Sequence, residues 1–320
     1  MLIELTVTPA LLLGRRASVA CGHLRGPRAR AAWVACVLVW GSYGCGGAHQ
    51  AAWDKPPLPS PPADVEQPVD QATLAEKAWE NRSERSSLEQ AIGAWEEMSE
   101  QTPNDPQTLA KLSRAYFLLA ESFMTAGENS QSLAIYDKGI TAGELAMLAV
   151  SEEFATQVRG GEPVEAALDA IPVAGQAALF WYAANLGRFI AADVTTAAMY
   201  QNRIHAVMQR VLELDPSFFQ AAPHRFLGSF YAEVPAFLGG NLDKSREHFE
   251  AALTVAPDYL DTKVLYAELY APRVEDRALF DRLLGEVVAA DPSVIPGLEP
   301  EQHMAQSRAR RLLDNPDELF

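Results

Sequence analysis

An all-α array of stacked helical hairpins is the fold class that this 320-residue sequence predicts. Three observations predict it. Helical periodicity recurs throughout the chain after Val69. Sustained period-two alternation, the mark of a half-buried strand, does not occur there. One spacing of face residues returns four times, each time ahead of a proline.

The first 44 residues read as an address. Arg25, Arg28 and Arg30 precede an apolar run from Ala31 to Gly41, followed by Ser42-Tyr43-Gly44-Cys45. A basic segment, a short apolar core and small residues before a cut describe an export signal. The run falls short of the roughly 20 apolar residues that a bilayer span needs. Residues ahead of Arg25 lack this character and point to a start read upstream of the true one. Cys45 directly after Gly44 resembles a lipobox, in which the thiol is acylated and becomes the new N-terminus. The expectation is a chain anchored by lipid at Cys45.

Residues 45–71 read as a linker. Pro56, Pro57, Pro59, Pro61, Pro62 and Pro68 forbid a helix there and favour extended polyproline geometry. At about 3.1 Å per residue such a tether would hold the body several tens of Å from a membrane.

Residues 72–320 carry the repeats. Ala91, Trp95, Met98 and Pro103 stand at offsets of four, three and five, and so do Ile204, Met208, Val211 and Pro216. The same offsets recur in Ser245, Phe249, Ala252 and Pro257, and in Phe280, Leu284, Val287 and Pro292. Each set puts small or apolar residues on one helix face, and the proline ends the helix. The small residue lets two helices approach, the large one fills the groove, and the proline turns the chain onward. This is the second helix of a tetratricopeptide-like (TPR-like) hairpin. First helices match in part, through Leu112, Ser113 and Tyr116 and through Leu227, Gly228 and Tyr231. The last three prolines are 41 and then 35 residues apart, against about 34 in a regular array. Insertions are therefore expected, and a compact α-solenoid.

Between Leu145 and Ala192 the pattern changes. Gly160-Gly161, Pro163 and Pro172 cut shorter helices, and Gln176 to Asp193 is apolar nearly all round. Such a helix is buried in a large core or lines a cavity. Asn185 and Arg188 interrupt it, which argues against a membrane span, and a buried Arg188 would need a carboxylate partner. The candidate ligand-cavity residues are Trp181, Asn185, Arg188, His224, Phe237 and Leu238. The last two lie in Val234–Gly240, an apolar insertion expected to pack on the core or close over a cavity. Asn241 is expected to cap the helix that begins at Leu242.

Composition narrows the function. Net charge is −16, and beyond residue 44 there are 21 basic and 41 acidic residues. A body that acidic repels phosphate backbones, so nucleic acid is not an expected partner. Cys21, Cys36 and Cys45 all precede the body, which rules out a disulfide framework there. The six histidines show no helical metal-ligand spacing, and phosphate loops, nucleophile elbows and dinucleotide fingerprints are missing. No catalytic residue, no metal and no cofactor is expected; the chain reads as a binding protein, not an enzyme.

One stretch resembles a known family. Leu214-Asp215-Pro216-Ser217, His224 with Phe226-Leu227-Gly228, Pro235 and Gly239-Gly240-Asn241 resemble the T component of tripartite ATP-independent periplasmic (TRAP) transporters. Arg277 with Leu279-Phe280, Ala305-Gln306-Ser307-Arg308-Ala309, Leu312-Leu313 and Leu319-Phe320 continue the likeness, and Phe180-Trp181-Tyr182 with Asn185 resembles that family's aromatic helix. It covers roughly Leu88 to the C-terminus. The resemblance implies a periplasmic lipoprotein that assembles as a trimer, docks a solute-binding protein and has a pore through its helical body for apolar or organic-acid ligands. It brings no catalytic residues. Which membrane holds the anchor is left open, and a general TPR scaffold for secretin or outer-membrane assembly is the alternative.

Overall fold

A computed structural model of the chain describes residues 49–56, 69–125, 127–191 and 194–320. The export signal and Cys45 lie outside the described residues. Those described form thirteen α-helices and no strand: α1 (Val69–Glu80), α2 (Arg85–Gln101), α3 (Pro106–Thr125), α4 (Asn129–Val150), α5 (Glu152–Arg159), α6 (Val164–Ala167), α7 (Gln176–Ile190), α8 (Val194–Leu214), α9 (Phe218–Glu233), α10 (Leu242–Val255), α11 (Leu260–Leu265), α12 (Arg277–Ala289) and α13 (Glu299–Asp314).

The four repeated spacings fall on α2, α8, α10 and α12, and all twelve face residues are buried. Each proline follows its helix within three residues. The side chain of Asn241 caps α10 by accepting from the Lys244 amide at 2.9 Å. Asp276 caps α12 in the same way, accepting from the Leu279 amide at 2.8 Å. The small positions do what close packing requires. Ser245 donates to the Gly228 carbonyl at 2.7 Å, and a Cβ on Gly228 would stand 2.9 Å from the Phe249 ring.

Hydrophobic cores follow one another along the chain: one across α1–α3, a large one across α4, α5, α7, α8 and α9, and one across α10–α13. That succession is what stacked hairpins produce, since each hairpin buries its face only against its neighbours. At the junction of α3, α4 and α7 the backbones come very near: a Cβ on Gly143 would lie 2.9 Å from the Tyr182 Cα.

The array then closes on itself. Arg82, between α1 and α2, pairs with Glu301 of α13 at 2.7 Å, 219 residues away. Arg114 of α3 reaches the other oxygen of Glu301 at 3.1 Å. Arg82 and Glu301 are 5% and 9% exposed, so this is a buried triad that ties the first hairpin to the last helix.

Within the stretch read as linker, residues 49–56 are docked. His49 sits between Asp137 (2.6 Å) and Glu144 (3.0 Å) of α4, and the Ala52 amide donates to Glu144 at 2.7 Å. Trp53 packs edge-on against Phe154 and Tyr182. Proline content forbids a helix but does not prevent docking, and these contacts fix a segment that composition alone reads as a free tether.

Candidate functional site

The centre of the array is reached through an unusual turn. Phe219, Gln220 and Ala221 all have positive φ (42°, 57° and 56°) although none is glycine. Three left-handed residues in succession are costly, and such strain collects where a site needs it. The regular part of α9 therefore begins after Ala221, and Pro223 stands in its first turn, where a missing N–H is harmless. The turn carries the Phe219 ring against Trp181 at 5.4 Å and places it 4.6 Å from the Arg114 guanidinium. Arg114 also faces Trp79 and Trp181. Burial lowers the Arg114 pKa, and Glu301 opposes that shift. Tyr259 closes the group 6.0 Å from Phe219, its phenol pushed up by burial.

Beside this aromatic junction lies a charged cluster. Arg188 of α7 pairs with Glu121 of α3 at 2.8 Å, and Glu121 also accepts from the Tyr136 hydroxyl at 2.6 Å. Glu121 holds the Arg188 guanidinium above its ordinary pKa against the pull of burial, and Tyr136, Glu233 and Asp261 add to it. These groups come from α3, α4, α9 and α11. Glu233 is exposed, yet desolvation pushes its carboxyl up, while Arg188 and Arg308 pull it down. Arg188 is likewise 43% exposed but crowded by charges from several helices. Water reaches both side chains, and charged groups from several helices gather around them.

The six sequence-named residues do not form one site. Trp181 is 6% exposed in the aromatic junction, and Arg188 belongs to the charged cluster with a carboxylate of the protein as its partner. Asn185 is fully buried; its amide donates to the Ser113 carbonyl (3.0 Å) and the Trp181 carbonyl (2.8 Å), bracing α3 against α7. His224 faces α10, where its Nδ1 lies 3.0 Å from Nδ1 of His248. Phe237 is 86% exposed, so for it the expectation of packing on the core or closing a cavity does not hold within this chain. Leu238, next to it on the same short turn, is partly exposed.

Sequence reading missed Phe219, Glu233 and Tyr259, which bear no motif, and His248. His248 stacks on Tyr231 at 5.7 Å, while His205 accepts from or donates to the Tyr231 hydroxyl at 2.7 Å. Burial lowers the His248 pKa to about 4, with His224, His205 and Lys244 adding to the effect. His49 goes the other way: burial pulls it down, but Glu144 and Asp137 outweigh that and raise it.

These shifts fix the signs of a pH profile. An unfolded histidine titrates near 6.5. Between about pH 6.5 and 4 the unfolded chain binds a proton that native His248 refuses, so stability falls on acidification by about 2–3 kcal/mol. The His49 contribution is complete below about pH 6.5 and is lost as pH rises through its raised pKa. Thermal melts should show His248→Phe flattening the acid limb and His49→Gln flattening the alkaline one.

A separate cleft of about 420 Å³ opens between α10, α11 and α12, lined by Arg246, Tyr266, Tyr270 and Asp276 among others. Its Lys263 and Arg282 both pair with Glu286, at 2.9 and 3.1 Å, so much of its charge is matched internally. No helix among the described residues is long and apolar enough to cross a membrane.

Comparison with known proteins adds two findings. A family model described as TRAP transporter T-component matches residues 85–320. A protein of Treponema pallidum (strain Nichols), named only as an uncharacterized protein, is 27% identical over 148 residues, which is 44% of this chain and 45% of that protein. The match thus spans about half the length of that relative.

Proposed function

The chain belongs to the TRAP transporter T-component family, and from that premise we propose that it is a non-catalytic component that docks a periplasmic solute-binding protein and passes its solute through the charged recess. Association with a TRAP system comes with the family; docking, passage, a trimeric assembly and acylation of Cys45 on the periplasmic side of the envelope are our reading. The observation that carries it is the charged cluster at Arg188, which water reaches and which we read as the wall of that recess. A guanidinium reached by water, Arg188, stands near Glu233, a carboxyl whose pKa is raised. An organic acid meets in Arg188 a guanidinium that water also reaches, beside its partner Glu121. Phe219, half-buried against Trp181 and Tyr259, supplies apolar surface in the neighbouring junction.

The test is Arg188→Gln. The variant should slow solute uptake by about ten- to a hundredfold at low solute, the loss of one charge-assisted hydrogen bond of about 1.5–3 kcal/mol. Because the Arg188–Glu121 pair is partly exposed, stability should change by no more than about 1 kcal/mol. Uptake at the wild-type rate would remove the recess from the path.

A further inference from the structure

The position of the proposed anchor picks out one face of the protein. Cys45 stands four residues before His49, and four residues span at most about 14 Å. The His49 side chain, 6% exposed, is held by α4, so an acyl chain on Cys45 would leave from that end of the body. Four residues further on, the Trp53 ring lies 5.9 Å from the Arg203 guanidinium of α8.

Helix α8 runs past this docked segment. At about 100° per residue, Met199 and Arg203 share the flank toward Trp53, while Gln201 and His205 share the opposite flank. Asn202, Ala206 and Gln209 form the strip between. On the far flank Gln201 Nε2 is 3.5 Å from the Leu238 carbonyl, which brings the Val234–Gly240 turn alongside. The docked segment and the apolar turn therefore flank the outer strip of α8, one on each side.

Two properties set this face apart. Met199 and Phe237 are 74% and 86% exposed, the two most exposed large apolar side chains among the described residues. The α8 strip and the apolar turn are also poor in acid within a very acidic body, Asp54 of the docked segment being the exposed carboxylate beside them. From Val194 to Leu212 there is no Asp or Glu, and from Val234 to Leu242 there is no charge at all. Arg203 has its own carboxylate in Glu165, at 3.1 Å. Most of the body is repelled by anionic headgroups; this part is not. Large apolar side chains on an acid-poor surface suit the headgroup–acyl boundary of a bilayer.

We propose that this face lies on the membrane, with Met199 and Phe237 entering the lipid interface. The acylated protein is then held in one orientation instead of swinging on its anchor. The proposal rests on the acylation of Cys45, and its test separates the two.

Residues 49–320 contain no cysteine, so Phe237→Cys and, as a control on α13, Asp314→Cys each accept a single fluorophore. The full acylated chain is reconstituted into phosphatidylethanolamine/phosphatidylglycerol vesicles that carry a shallow nitroxide lipid. Quenching at position 237 and not at 314 is the expected result; equal quenching at both, on a chain that incorporates a palmitate analogue, overturns the membrane face and leaves the anchor standing. Absence of that label would end the anchor alone. The face is then read from vesicle partition of the unacylated Cys45→Ser chain, which Met199→Ser with Phe237→Ser should lower by about tenfold, since two large apolar side chains leave the interface. If the double substitution instead dissociates an oligomer and leaves partition unchanged, the face belongs between copies of this chain and the proposal fails.

Discussion

Glu301→Leu should lower the unfolding free energy by about 3–5 kcal/mol, because it strands the buried Arg82 and the partly buried Arg114 without their carboxylate. Arg82 and Arg114 both point at Glu301, Arg82 with 5% and Arg114 with 22% of its side chain exposed. Arg82 keeps only the carbonyls of Trp79 and Gly297 as acceptors. Arg114 already has a buried Nε with no partner among the described residues. For a domain of this size the loss corresponds to a fall of roughly 6–20 °C in melting temperature. Charge and shape can be told apart. Replacing all three residues by Met, Leu and Met should recover most of the loss, since a well-packed apolar triad often equals a buried ionic one. If Glu301→Leu melts within about 1 kcal/mol of wild type, the closure of the array does not depend on this triad.

The second large effect is expected at the contact between α9 and α10. Phe249 is fully buried, stacks on Tyr266 at 4.9 Å, and its ring lies where a Gly228 side chain would be. Phe249→Ala should cost about 3–5 kcal/mol, the range for deleting a buried aromatic ring. Gly228→Ala alone should cost about 1–3 kcal/mol by overpacking. Together they should cost less than their sum by about 0.5–3 kcal/mol, because the added methyl enters the space the ring has left. Additive losses in denaturant melts would mean that the small–large pairing read from the repeats is not what sets this interface.

Much of the fold was legible because its signals are local. Ala91/Trp95/Met98, Ile204/Met208/Val211, Ser245/Phe249/Ala252 and Phe280/Leu284/Val287 mark buried faces by spacing alone, and a proline marks each end. Asn241 announces its cap by residue type and place. The site was less legible, because its parts are joined through space. Arg82 and Glu301 are 219 residues apart and carry no pattern that pairs them. The left-handed turn at Phe219-Gln220-Ala221 contains none of the residues that tolerate positive φ, so nothing in the sequence announces it. Arg188 in an apolar helix calls for a carboxylate, of the protein or of a ligand, but nothing in the sequence pairs it with Glu121, 67 residues upstream, which meets it across α3 and α7. His49 and Trp53 were hidden by proline-rich surroundings; a tryptophan so near a proline run was the one hint of docking.

Co-isolation tests the central claim most directly. The full chain, crosslinked in intact cells that express a TRAP permease with its solute-binding protein, and then purified with its membranes, should bring that solute-binding protein down. A membrane-held chain that recovers none of it, while the permease continues to import solute, would contradict the account.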